Sequence, residues 1–177
     1  MDNRGFTIIE VLIASMILLI ALLSVGVMFP QGYKQVADAG RMTIAVTAAR
    51  QILEDLGALP FDSVVNLNGY TTTNPATVPT APGTEPEQAA ARRWAYMAAG
   101  SANGFVFTTD EMTEYGSVTP FGGRGTIQVC DPGVVPPAPP AACPAPANPA
   151  LRQATVTVAV PGLSSNVQVT TMLVRLF

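Results

Sequence analysis

The sequence predicts an α+β protein in which one long N-terminal α-helix packs on a C-terminal antiparallel β-sheet of about four strands. Three observations support this class. Residues 11–29 form an uncharged apolar run, residues 41–59 show the spacing of an amphipathic helix, and β-prone segments fill the second half of the chain. One helix followed by several strands is the element order of an α+β unit.

The first element is the apolar run, which is long enough to be a transmembrane helix. At about 1.5 Å per residue, residues 11–29 span roughly 28 Å, which is close to the hydrocarbon thickness of a bilayer. Arg4 precedes the run, and basic residues prefer the cytoplasmic side, so the bulk of the chain is expected outside the cytoplasm. Glu10 lies near the start of the run, where an ionised carboxylate is unfavourable in lipid.

Three interpretations of this segment compete. It is a secretory signal peptide cut near residues 37–39, a plain membrane anchor, or a segment cut between Gly5 and Phe6. The run exceeds the roughly 7 to 15 apolar residues of a signal peptide, which argues against the first interpretation. The plain anchor leaves Glu10 unexplained unless its carboxylate reaches the interface.

The third interpretation is supported by a family resemblance. The residues Gly5-Phe6-Thr7-Ile8-Ile9-Glu10, followed by the apolar run, closely resemble the prepilin signature of type IV pilins and type II secretion pseudopilins. The resemblance implies that a prepilin peptidase cuts between Gly5 and Phe6. It also implies that the new amino group of Phe6 becomes methylated.

The resemblance also implies a division of the chain. Residues 1–5 would be the leader peptide, and residues 6–30 a hydrophobic helix that first anchors the subunit in the inner membrane and later packs in the filament core. Residues 31–177 would be the globular head of a pilin fold, including an amphipathic helix at 41–59 and a sheet within 104–177.

Glu10 is predicted to control subunit registry and assembly. In a membrane or a filament core its carboxylate needs a cationic partner, and the resemblance suggests the amino group of Phe6 on a neighbouring subunit. Correct docking would relieve the unfavourable free energy of that carboxylate. We therefore expect Glu10 to be required for filament incorporation and dispensable for membrane insertion.

Residues 26–40, which lie at and beyond the end of the apolar run, are predicted to form a helix that is bent or locally melted between Gly26 and Gly40. Pro30 removes a backbone donor, and Gly32 lowers helix propensity further. The helix over residues 41–59 then has an apolar stripe that is expected to face the sheet. The stripe consists of Ile44, Ala45, Ala48, Ala49, Ile52, Leu53 and Leu56.

Residues 61–86 are rich in Thr, Asn, Pro and Gly, which indicates a loop. Thr84 and Glu87 have the spacing of a capping box, so a helix is predicted from Glu87 to Ala99. A strand over residues 92–97 is the alternative; we favour a helix that frays from Trp94.

Strands are predicted at residues 104–109, 125–130, 154–160 and 167–176 because β-branched and aromatic residues are concentrated there. Residues 161–166 contain Pro, Gly, Ser and Asn and predict a turn. The last two strands therefore form the clearest predicted hairpin in the chain.

Cys130 and Cys143 are predicted to form a disulfide, with two free thiols as the alternative, because an even cysteine count in a translocated chain favours a bridge. Two thiols alone cannot build a four-ligand zinc site. The proline-rich loop between them (residues 131–142) is expected to project from the sheet edge. We interpret it as a spacer; a contact for a partner is the alternative.

The sequence contains no recognisable catalytic constellation, so no enzyme activity, cofactor, metal or small-molecule substrate is expected. The chain has no histidine, the commonest general base and metal ligand. Asp110, Glu111 and Glu114 form an acidic cluster, but without a calcium-loop pattern a solvated turn is favoured. The net charge of −3 gives no electrostatic reason to expect nucleic acid as a partner.

We therefore predict a structural subunit of a type IV pilus-like filament. Residues 48–64 resemble V-type minor pilins and I-type minor pseudopilins, which favours a minor pilin in a tip or initiation complex. A minor pseudopilin of a type II secretion system is the alternative, and a membrane-anchored surface adhesin module is the second. The expected partners are other pilin or pseudopilin subunits, the prepilin peptidase and the inner membrane. The expected final location is an extracellular or periplasmic filament.

Overall fold

A computed structural model of the chain describes residues 7–100, 104–115, 120–148 and 150–175. The chain divides into two compact units, Met1–Gly40 and Arg41–Phe177. The helices are α1 (Ile8–Ala58), α2 (Glu85–Ala99) and α3 (Thr109–Tyr115), and the strands are β1 (Arg124–Cys130), β2 (Leu151–Ala159) and β3 (Val167–Val174). These elements confirm the predicted α+β class.

The helix α1 is continuous and includes Pro30. The predicted local melting between Gly26 and Gly40 is therefore wrong. A proline removes one backbone donor, and each glycine lowers helix stability by only about 1 kcal/mol. The strong helix formers on both sides, mainly Leu, Met and Ala, outweigh these penalties.

Within the second unit, the end of α1 packs on the sheet as predicted. Its buried residues are Ala45, Ala48, Ala49, Ile52 and Leu56. All of them except Ala48 join a core that includes Ile127 and Val129 of β1 and Val156 of β2. Ile44 is an exception to the predicted stripe, because its side chain is 47% exposed.

The sheet is antiparallel, with the order β1-β2-β3. The predicted hairpin between the last two strands is confirmed, with Leu151 opposite Val174 and Val158 opposite Val167. Alternate residues such as Ile127 and Val156 face the helical core. We call this side the inner face, and the opposite side the outer face.

The predicted strand at residues 104–109 is wrong, so the described part of the chain has three strands. Phe105 and Phe107 are buried while Val106 is 85% exposed, which explains why the segment reads as a strand. It has no strand partner in the described chain. Its rings pack on one another and on Tyr96, and Arg92 of α2 donates to the Val106 carbonyl at 2.6 Å.

The helix α2 is confirmed over the strand alternative, although it begins at Glu85, before the predicted Glu87. The predicted fraying from Trp94 is wrong. Trp94 is fully buried, and its indole N–H donates to a carboxylate oxygen of Asp55 at 2.8 Å. The predicted capping box does not form either, because the Thr84 hydroxyl donates instead to the Ala81 carbonyl at 2.6 Å.

Candidate assembly site

The first turn of α1 is closed by a reciprocal pair of side-chain contacts between Thr7 and Glu10. The amide and the hydroxyl of Thr7 both donate to Glu10 Oε2, each at 2.9 Å. The amide of Glu10 donates in return to the Thr7 hydroxyl at 3.4 Å. This arrangement is a capping box, which satisfies backbone donors that the helix itself leaves unpaired.

Thr7 is a capping residue that the sequence-based prediction did not include. The signal was present, since Thr-x-x-Glu before an apolar run is the capping-box pattern. The predicted cleavage residues Gly5 and Phe6 lie outside the described residues. The capping box lies beyond the predicted cut, so a chain that starts at Phe6 would retain it.

The part of α1 that follows Glu10 exposes its apolar side chains in the single chain. Exposure of the large apolar residues between Ile8 and Phe29 ranges from 49% at Val25 to 84% at Ile8. An exposed surface of this size requires a nonpolar environment or other helices. By length and composition, α1 could cross a membrane.

The comparisons with known proteins agree with this geometry. Residues 1–26 match a family model described as the prokaryotic N-terminal methylation motif. The chain carries the prepilin signature. This signature of type IV pilins and pseudopilins implies processing by a prepilin peptidase and assembly with other pilin subunits. No curated protein and no solved structure matched the chain.

In this prepilin-type chain, the disulfide between Cys130 and Cys143 closes the proline-rich loop. The loop does not project from the sheet edge as predicted. Gln128 points from the outer face of β1, and its amide donates to the carbonyls of Pro137 at 2.8 Å and Ala141 at 2.6 Å. These bonds fold the loop back over the outer face.

Asn68 fixes the second end of the loop. Its side-chain oxygen accepts from the amides of Cys143 at 3.0 Å and Val129 at 3.1 Å, and its side-chain nitrogen donates to the Cys143 carbonyl at 2.9 Å. At the first end, Asp131 accepts from two backbone amides, at Ala147 and Asn148, which lower the pKa of its carboxyl. The loop is therefore held at one end by a side chain distant in sequence, Asn68, and at the other by Asp131.

The acidic cluster lies on α3, not in the predicted turn. Glu111 caps this helix through Thr108 and forms a salt bridge with Arg92. The hydrogen bond from Arg92 lowers the pKa of Glu111 to about 2. Asp110 and Glu114 are exposed, and no cluster of metal-ligating side chains occurs in the part of the chain described.

Proposed function

We propose that the protein is a structural subunit of a type IV pilus-like filament, and specifically a minor pilin in a tip or initiation complex. The mature subunit begins at Phe6 after cleavage following Gly5, and its new amino group is methylated. Before assembly it is a single-pass protein of the inner membrane with its head outside the cytoplasm. Afterwards it is part of an extracellular or periplasmic filament.

The observation that carries the proposal is the combination of an exposed apolar helix with one capped carboxylate in its first turn. Glu10 is the only charge on α1 before Lys34. The methylation motif at residues 1–26 matches this segment. A plain anchor needs the apolar surface but has no need of the acid.

The geometry suggests how Glu10 would guide docking. Both contacts from Thr7 fall on Oε2, which orients the carboxylate, and Oε1 has no hydrogen-bond partner among the described residues. A cationic amino group there would gain a charge-assisted hydrogen bond in a nonpolar environment. A misregistered subunit would leave the carboxylate without that partner, which is strongly unfavourable.

The same motif also supports a minor pseudopilin of a type II secretion system. Residues 48–64 resemble both V-type minor pilins and I-type minor pseudopilins, so this resemblance supports a minor subunit of either machine. Isolation of the co-assembling subunits from the native envelope distinguishes the two machines.

The assembly role is tested with Glu10→Gln, which removes the charge but keeps an oxygen that accepts the Thr7 bonds. We expect normal membrane insertion and at least about a tenfold loss of filament incorporation, equivalent to about 1.4 kcal/mol of docking free energy. Membrane fractionation measures insertion, and immunoblotting of sheared filaments measures incorporation.

The matched control is Glu54→Gln, which removes an exposed carboxylate from the same helix. This variant is expected to incorporate normally. Normal incorporation of Glu10→Gln would contradict the assembly role.

A further inference from the structure

The two edges of the sheet differ in whether their backbone groups are paired. At the edge formed by β1, residues 68–72 cover the strand. The Ile127 amide donates to the Tyr70 carbonyl, and the Gly69 amide donates to the Ile127 carbonyl, each at 2.9 Å. This edge is therefore closed within the chain.

The opposite edge, formed by β3, is open. The amide of Arg175, directly after the strand, donates to the Ala150 carbonyl at 3.0 Å, so the odd-numbered residues of β3 direct their backbone groups toward β2. The even-numbered residues direct theirs away from β2, and these groups have no hydrogen-bond partner in the described chain. We call this row of donors and acceptors the free edge; its residues are Gln168, Thr170, Met172 and Val174.

The free edge lacks the features that usually protect an exposed strand. Natural edge strands are commonly very short, or they carry charged residues, prolines or bulges that prevent pairing with another chain. The strand β3 has 8 residues, and none of them is charged, proline or glycine. Its pairing with β2 is regular from one end to the other. Such an edge is a template for one more strand.

A groove of about 380 Å³ lies beside the C-terminal end of the free edge, between the end of α1 and β3. Its lining includes the apolar side chains of Leu59, Phe61 and Leu173 and no residue of β1 or β2, so it opens on the side of the free edge. The two charged residues in the lining, Asp62 and Arg175, form a salt bridge with each other. The groove therefore suits an apolar side chain.

The groove and the free edge together indicate the kind of ligand. On the inner face, Val169 and Leu173 are half-buried and pack against the core. A strand added at the free edge would place alternate side chains beside them, and the one opposite Leu173 would lie at the groove. In strand addition, backbone hydrogen bonds supply affinity and pockets for alternate side chains supply specificity. The ligand is therefore an extended segment with apolar residues at alternate positions.

A second copy of the chain does not fit this role within a filament. Its β1 edge is closed by residues 68–72. A symmetric pair of β3 strands would make residues 41–58 of the two α1 helices antiparallel, because these residues pack on the inner face of the sheet. Subunits related by a helical repeat all have one direction.

We propose that the free edge of β3 binds an extended segment of a different filament subunit. This segment adds as a fourth, antiparallel strand and inserts one apolar side chain into the groove. The identity of the donor rests on the proposed function. The binding of an extended strand does not, because every residue involved lies in the second compact unit.

The strand-binding test is fluorescence anisotropy of the full chain in detergent micelles, with the labelled peptide Thr-Leu-Thr-Val-Thr-Val-Thr as the probe and empty micelles as the blank. In the antiparallel register that places its leucine opposite Leu173, its threonine amides donate to the free edge. We expect saturable binding that weakens at least about tenfold when the threonine amides are N-methylated, because several hydrogen bonds are lost.

The control peptide is N-methylated at the leucine and valine amides instead, which face away from β3, and is expected to keep its affinity. No saturable binding of the unmethylated peptide, or equal affinity of the two methylated peptides, would overturn the proposal.

Two variants with matched controls locate the site. Thr170→Lys places a charge in the middle of the free edge and is expected to weaken peptide binding about tenfold. Its control is Thr113→Lys, at an exposed threonine of α3. Gly57→Leu fills the groove and is expected to weaken binding about fivefold, whereas Gly40→Leu on the same helix is expected to have no effect. A Cβ at either glycine meets no atom within 4 Å. Equal losses in a variant and its control would overturn the assignment.

The donor is identified by photo-crosslinking in the native envelope, with benzoylphenylalanine in place of Gln168, an exposed residue of the free edge. We expect a crosslink to a different subunit that carries the prepilin signature, mapped by mass spectrometry to an extended segment. Crosslinks only to a second copy, or none above the level at Thr113, would overturn the proposal. Peptide binding by Glu10→Gln is expected to be normal, so this proposal and the assembly role can fail separately.

Discussion

The proposed assembly role would give Glu10 an intermolecular function beside its local one. Its bonds with Thr7 complete the first turn of α1 within a single subunit. The same bonds fix the direction of the carboxylate before a neighbour arrives. A pre-oriented charge loses less conformational entropy on docking than a freely rotating one.

Glu87 is a second unusual carboxylate, because it is fully buried in α2 and neither of its oxygens has a hydrogen-bond partner in the described chain. The capping contact with Thr84 that would satisfy it does not form. Burial without a partner is unfavourable for any polar group and most unfavourable for a charged one. We infer that Glu87 lowers the stability of the head.

Replacement of Glu87 by methionine is therefore expected to stabilise the protein. Methionine is close to glutamate in length, and its flexible side chain adapts to the existing space. The free energy of unfolding should rise by about 1–3 kcal/mol. Chemical denaturation of the full chain in micelles measures this change.

The control is Glu114→Met, which removes an exposed carboxylate from α3 and is expected to have little effect. A lower stability of Glu87→Met than of the original chain would show that Glu87 has a stabilising partner.

At the scale of elements, the salt bridge between Arg92 and Glu111 joins α2 to α3. Glu111 also accepts from the amide and the hydroxyl of Thr108. These hydrogen bonds, with that from Arg92 the largest cause, lower the pKa of Glu111 from 4.5 to about 2. Because the folded state favours the ionised form, this contribution to stability is present above pH 4.5.

This linkage predicts a specific pH dependence. The contribution of Glu111 is lost as the pH falls from about 4.5 toward about 2, where the carboxyl becomes protonated in the folded state as well. The difference in Tm between the original chain and Glu111→Gln should therefore be constant above pH 4.5 and shrink below it. Thermal unfolding across this range measures the difference.

The exposed Glu114 supplies the control, since Glu114→Gln is expected to show no such change. A Tm difference for Glu111→Gln that stays constant down to about pH 2 would contradict the assigned pairing.

The disulfide loop gives a second prediction at this scale. The two cysteines are 13 positions apart. On the chain-entropy model, closing a loop of this size stabilises the folded state by about 3 kcal/mol. The double variant Cys130→Ser with Cys143→Ser should lose about this much, as measured by urea unfolding of the full chain in micelles.

Reduction of the original chain is the internal control and should produce the same shift as the double variant. An unchanged urea midpoint in the double variant would show that Asn68 and Gln128 hold the loop without the bridge.

The elements that could be predicted were those in which the secondary-structure propensity of the segment agrees with its packing in the fold. The alternating β-branched residues of β2 and the apolar stripe of α1 are examples. Residues 104–108 show the same alternation but pair with no strand in the described chain, and the Val106 carbonyl accepts from Arg92 instead. A local pattern cannot reveal such a tertiary contact.

Capping boxes also show that a local sequence pattern does not determine which hydrogen bonds form, even within a few residues. The pattern Thr-x-x-Glu occurs at Thr7, Thr84 and Thr108, and a side-chain cap forms at the first and the last. At Thr84 the hydroxyl binds Ala81 instead. The pattern therefore indicates where a cap can form, and competing local hydrogen bonds determine whether it does.

At the scale of the whole molecule, the assembly segment was predictable and the head surface was not. The assembly segment is contiguous, so its charge, length and motif can be read directly from the sequence. A cleft on the outer face of the sheet is lined by Thr71, Arg124, Pro139 and Thr157, which are far apart in the chain. Strand pairing brings Arg124 and Thr157 together, a bridge to Thr126 adds Thr71, and the back-folded loop adds Pro139.

The central claim is that the chain works as a processed subunit whose first residue is Phe6. Mass spectrometry of the N-terminal peptide from purified filaments tests it most directly. The account predicts a peptide that begins with methylated Phe6 and lacks residues 1–5. A peptide from assembled filaments that still begins at Met1, or one that begins after residue 39, would contradict it.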